Sequence, residues 1–99
     1  MKRSDAHQVI RERAARSELT VLVPNAIVQM REHGIDFMDV HRCLRRGKTV
    51  RGPYAAPDSE TDDSRYDVEA IVNGDWLRVV VELPDESPDV IVVTVHIVQ

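Results

Sequence analysis

Arg78, His96 and Glu69 are the residues of this 99-residue chain best equipped for chemistry. Histidine is the side chain suited to giving and taking protons near neutral pH. A carboxylate can serve as a base, and Glu69 or Glu82 could do so. A guanidinium, here that of Arg78, offers a rigid fork of donors to an oxyanion. Thr94 adds a hydroxyl, and Trp76 adds a flat ring on which another ring can stack. These side chains act together only if the fold gathers them on one surface.

The stretch from Arg65 to Val98 predicts such a surface. It reads as three β-strands whose side chains alternate in polarity. One face carries Tyr66, Val68, Ala70 and Val72, then Leu77, Val79, Val81 and Leu83, then Ile91, Val93, Val95 and Ile97. The other carries Arg65, Asp67, Glu69, Trp76, Arg78, Glu82, Thr94 and His96. Successive strand residues point to opposite faces, so the sheet is apolar below and ionisable above. Asn73-Gly74 separates the first two runs, and this pair is a strong hairpin signal because both turn residues adopt positive φ. A two-residue turn sets Glu69 against Arg78, Ala70 against Leu77 and Arg65 against Glu82. Slipping by one residue would put apolar side chains opposite charged ones.

The apolar face needs a cover, and the N-terminal half supplies helices. Ser4 is placed to cap a first helix reaching about Arg16, with Ala6, Val9, Ile10, Arg13 and Ala14 on one stripe. Leu19 to Val23 is an extended segment. Pro24 suits the first position of a second helix, which carries Ala26, Ile27 and Met30 inward and ends at Gly34. Asp36 caps a third helix with a stripe of Phe37, Val40 and Leu44, ended by Gly47. Thr49 to Tyr54 follows as a strand at a sheet edge, since Pro53 cannot donate to a ladder. The acidic segments 55–64 and 84–89 read as loops, the first of them mobile. The expected fold is α+β, with two or three N-terminal helices on one face of a four-stranded antiparallel meander. One domain spans residues 1–99, with a helical half to about residue 47 and a sheet half from about residue 48.

Composition narrows the function classes. Hydrophobic residues make up 42% of the chain, enough for a modest core, and no apolar run is long enough for a membrane span. No secretion signal precedes the first helix. Cys43 is alone, so no internal disulfide forms, and a reducing cytoplasm is the expected setting. The net charge of −4 conceals an asymmetry. Residues 1–53 hold eleven Lys/Arg and six Asp/Glu, whereas residues 54–99 hold two and eleven. Arg42, Arg45, Arg46, Lys48 and Arg51 form a basic cluster. It suits a polyanion, and it equally suits a helix C-terminus, where the dipole favours cations. His41 and Cys43 stand about 200° apart on a helix and cannot share a metal. No two histidines have the i, i+4 spacing of a helical zinc site, so no metal is expected. Cys43 beside Leu44 reads as a buried, inert thiol. Phosphate-binding loop, dinucleotide and nucleophile-elbow motifs are absent, so no cofactor is expected either.

Several short motifs resemble a bacterial family, domain of unknown function 4258. They are Asn25-Ala26, Gln29-Met30, His33-Gly34-Ile35, Asp39-Val40, Leu44, Gly47, and the late strands Leu77-Arg78-Val79-Val80-Val81 and Val92-Val93-Thr94-Val95. The resemblance covers about residues 10–98. It implies a fold similar to the barnase–EndoU–colicin–RelE superfold, which is associated with metal-independent RNases and toxins. The family motif has histidine where this chain has Asn25, and arginines where it has Gln29 and His33. Asparagine exchanges no proton near neutral pH and cannot replace a histidine acid or base.

The resemblance implies a toxin-like domain that binds or cleaves RNA without metal. Cleavage needs a base for the 2′-hydroxyl, an acid for the leaving oxygen and a cation for the phosphorane charge. On the ionisable face, His96 and Glu69 would supply the first two and Arg78 the third. Trp76 and Thr94 would hold the substrate, with Arg45, Arg46 and Arg51 nearby. RNA and an antitoxin-like protein are the partners that follow. The alternative is a non-catalytic protein-interaction module, contacting a partner or a second copy through Trp76, Val80, Val92 and Val98. Cross-strand ion pairing of Glu69 with Arg78 and of Arg65 with Glu82 would by itself account for those four residues.

Overall fold

In the computed structural model, which describes residues 2–57 and 63–98, local signals set most of the helix boundaries. Helix α1 spans Arg3–Ala14. Its ladder opens with the Ala6 N–H donating to the Lys2 carbonyl at 2.9 Å, so Ser4 lies inside the first turn and does not cap it. Ala6, Ile10 and Ala14 are buried at helical spacing. A short 3₁₀ turn, Ser17–Leu19, leads into strand β1, Thr20–Leu22. Helix α2, Pro24–His33, begins on Pro24 and ends on Gly34 at φ +65°. There the Ile35 N–H reaches back to the Met30 carbonyl at 2.8 Å. Helix α3, Phe37–Arg46, opens with a reciprocal capping box between Asp36 and Asp39. It buries Val40, Cys43 and Leu44, while Phe37 is only half-buried and stacks on the His41 ring.

The sheet follows as β2 (Lys48–Ala55), β3 (Asp63–Val72), β4 (Asp75–Glu82) and β5 (Val90–Ile97). Of the expected mobile loop 55–64, residues 58–62 lie outside the described residues, while Ala55 ends β2 and Asp63 and Ser64 begin β3. The strand order is β1-β5-β4-β3-β2. The meander of four antiparallel strands is present, but the sheet is five-stranded and mixed, because β1 pairs parallel to β5. The segment Thr20–Leu22 thereby covers an edge that β5 would otherwise expose. The Asn73-Gly74 turn sets the expected register, with Val72 opposite Asp75, Glu69 opposite Arg78 and Arg65 opposite Glu82.

Strand β5 departs from simple alternation. Val80 pairs with Thr94 and Val81 with Val92, so Val93 is the extra residue of a β-bulge. Before the bulge, Val90 and Val92 face the helices, and after it Val95 does; all three are fully buried. Ile91, expected inward, instead pairs with Glu82 on the open face, and Val93, also expected inward, is the half-buried extra residue of the bulge and is not in the core. Val92 likewise leaves the apolar surface expected for partner binding. The Gln29 side chain on α2 accepts a hydrogen bond from the Val95 N–H at 2.8 Å and ties the helix to this irregular segment. All three helices join one core with Tyr66, Val68, Leu77, Val79 and Val81 beneath the sheet.

Candidate functional site

The registers of four strands place one ionisable side chain on each, side by side on the face away from the helices. Lys48 pairs with Glu69, Glu69 with Arg78, and Arg78 with His96. Directly paired residues project from the same face, so the four form a row across β2, β3, β4 and β5. The next row holds Arg51, Asp67, Val80 and Thr94. The third holds Tyr54, Arg65, Glu82 and Ile91. Arg78, His96, Glu69, Trp76 and Thr94 are thus on one surface.

Glu69 is fully engaged. Its Oε2 accepts from Arg78 Nε at 2.6 Å, and its Oε1 accepts from Trp76 Nε1 at 2.9 Å. Its side chain is 9% exposed, against 34% for Arg78. Both carboxylate oxygens are taken up by donors, so what the geometry gives Glu69 to do is orient an indole and a guanidinium. Arg78 spends only Nε on this pair, and its terminal nitrogens have no protein partner among the described residues. They are the donors available to an anion. Glu82 cannot replace Glu69 as a base beside His96. It lies four residues from Arg78 along β4, about 13 Å at strand rise, and accepts from Ser64 Oγ at 3.4 Å. No ion pair joins it to Arg65, although the two are opposite in register.

The basic residues divide between two places. Arg51 lies 4.2 Å over the Tyr54 ring, and Tyr54 donates its hydroxyl to the buried Asp67 carboxylate. Burial and that hydrogen bond push the Tyr54 phenol up to about 12. Arg45 and Arg46 are in the last turn of α3, in the helical layer. Arg46 lines a groove with Arg42 and residues 70–73, so neither arginine stands in the Lys48–His96 row. From the sequence Lys48 reads only as part of the basic cluster after α3, Asp67 only as a member of the ionisable face, and Tyr54 is given no role. β2 carries register shifts at three places along β3, and no periodicity in its own residues could have revealed their positions.

The three positions at which the chain departs from the family motif, Asn25, Gln29 and His33, lie on α2, on the far side of the sheet. Gln29 bonds the β5 backbone from beneath, and Asn25 and His33 are exposed on α2. Cys43 sits in the core with its thiol toward the carbonyls of Val68 and Leu77, and burial, aided by the Glu69 charge, pushes it up to about 12. Among the described residues no three His, Cys, Asp or Glu side chains converge as a metal site would need, and no helix is long and apolar enough to cross a membrane.

The sequence pattern of a family described as domain of unknown function (DUF4258) matches residues 24–97, from the start of α2 to the end of β5. The chain belongs to this family. The matched span of this DUF4258 member contains the whole Lys48–His96 row and leaves α1 and β1 outside it. No curated protein and no solved structure gives a significant match to the chain.

Proposed function

We propose that this DUF4258 protein is a toxin-like RNA-binding domain that holds single-stranded RNA on the ionisable sheet face and has lost efficient cleavage. The row of Lys48, Glu69, Arg78 and His96 carries this reading. Lys48 and the free end of Arg78 would grip a phosphodiester, with Glu69 holding Arg78 in place. Trp76 is 47% exposed and anchored through its indole N–H, which leaves a ring face for a base. Metal-independent cleavage needs two proton-transfer groups, and the carboxylate in the row with His96, that of Glu69, has both oxygens held by Arg78 and Trp76. Helices on one face of a largely antiparallel sheet suit the barnase–EndoU–colicin–RelE likeness, which forms part of the proposal.

The test is anisotropy of a labelled 12-nucleotide single-stranded RNA (roughly one oligonucleotide-site length) at low salt, with the RNA then run on a denaturing gel. Wild type should bind and leave the RNA intact. Arg78→Ala and Trp76→Ala should each weaken binding about tenfold. Wild-type binding unaffected by both substitutions would sink the proposal, and rapid cleavage lost in His96→Ala would restore a catalytic role. A protein-interaction module is the second reading, favoured by the exposed apolar side chains Ile71, Trp76 and Val50 beside the row.

A further inference from the structure

A groove of about 330 Å³ runs along the end of β3, lined by Arg42, Arg46 and residues 70–73. Strand β2 begins at Lys48, opposite Glu69. The last three residues of β3 therefore have no strand on their outer side among the described residues. The two-residue turn decides which backbone groups this leaves open. It makes Val72–Asp75 a hydrogen-bonded pair and Ala70–Leu77 the next one. Ile71 lies between them, so its N–H and carbonyl point outward. The same alternation turns the Glu69 carbonyl toward β2, and a Cβ on Gly47 would come within 2.5 Å of it.

Chemistry on the two sides of this open edge differs. Arg42 and Arg46 are one turn apart on α3 and share the helix surface below it. Arg42 meets Asp39 only at 3.8 Å, and Arg46 has no ion pair among the described residues. Above the edge, Ile71 is 69% exposed next to Trp76.

We propose that the outer edge of β3 at Ile71 receives an extended acidic segment of a partner protein, which adds as a short strand continuing the line of β2. This deepens the protein-interaction reading and does not depend on RNA binding. The added chain exchanges hydrogen bonds with the N–H and carbonyl of Ile71. Its side chains alternate between faces, so carboxylates meet Arg42 and Arg46 while apolar residues meet Ile71 and Trp76. A nucleic-acid phosphate would use the arginines but leave the Ile71 carbonyl unpaired. The open carbonyl and the exposed isoleucine favour a peptide.

The probe is a fluorescent peptide of three Val-Glu repeats, with three Val-Lys repeats as control. The acidic peptide should bind, and the Arg42→Glu/Arg46→Glu double variant should weaken it at least about tenfold. Ile71→Pro removes an outward N–H without breaking the bond pattern to β4, and should weaken binding similarly. Slowed amide exchange at Ile71 in the wild type on adding the peptide tests the backbone contact with no substitution. Equal binding of the basic peptide, indifference to charge reversal, or unchanged Ile71 exchange would each overturn the proposal. So would a charge reversal that lowers affinity for the 12-nucleotide RNA described above while wild type ignores the acidic peptide. Failure of the RNA reading alone, with peptide binding intact, would leave it standing.

Discussion

Arg78 and Glu69 face each other across β3 and β4, joined Nε to Oε2 at 2.6 Å with the carboxylate nearly buried. This pair belongs to a larger arrangement, since Trp76 binds the other carboxylate oxygen. Removing Glu69 releases two donors at once, whereas removing Arg78 leaves the indole held. In a double-mutant cycle by urea denaturation, Glu69→Met and Arg78→Met should show a coupling of about 0.5–1 kcal/mol, since Arg78 is one-third exposed and water screens the pair. Trp76 fluorescence should shift in the Glu69 variant and stay near wild type in the Arg78 variant. Zero coupling would mean that the contact contributes orientation without stability.

The bulge at Val93 reverses the inside and outside of half of β5. Val92→Ala removes a fully buried side chain from beneath the sheet and should cost about 1–3 kcal/mol. Val93→Ala should cost about 0.5 kcal/mol or less, because that side chain is only partly covered. Thermal or urea melts decide it, and an unbulged strand would give the opposite order.

His7 gives the fold a pH dependence. Its Nδ1 accepts from the Thr49 N–H at 3.3 Å, within hydrogen-bond distance of the Thr49 hydroxyl, and burial together with nearby Arg11 lowers its pKa. Arg3 and Lys48 add positive charge around it. A histidine whose folded pKa lies below its unfolded value contributes its full stability above the unfolded value of 6.5. That contribution falls as pH drops below 6.5, because the unfolded chain takes up the proton first. The urea midpoint of wild type should therefore fall more between about pH 7.5 and 5.5 than that of His7→Gln. Parallel curves for the two proteins would remove His7 as the cause.

Cys43 should be silent toward alkylation. Its thiol is buried and its pKa is raised to about 12, so almost no thiolate exists at pH 8 and reagent cannot reach it. Iodoacetamide should label the chain only on unfolding, with a rate that rises with urea in step with loss of structure. Fast labelling of the native protein would contradict the burial of this helix.

Features with local causes were readable from the residues alone. Gly34 and the Asp36–Asp39 box act within a few residues, so the boundaries of α2 and α3 were legible. Asn73-Gly74 fixed how β3 meets β4, and with it the juxtaposition of Glu69 and Arg78. Partner strands decided the rest. Whether β5 carries a bulge depends on the pairing of Val80 and Val81 across from it and on Gln29 capturing the Val95 amide, and neither is written in the alternation of β5. The parallel pairing of β1 with β5 joins segments about seventy residues apart, beyond the reach of any turn signal. Lys48 enters the row for the same reason: the irregular register of β2 is set by contact with β3. A period of two survives in a sequence only where the ladder is regular, so the chemistry of the β3–β4 hairpin could be read in advance and the width of the surface around it could not.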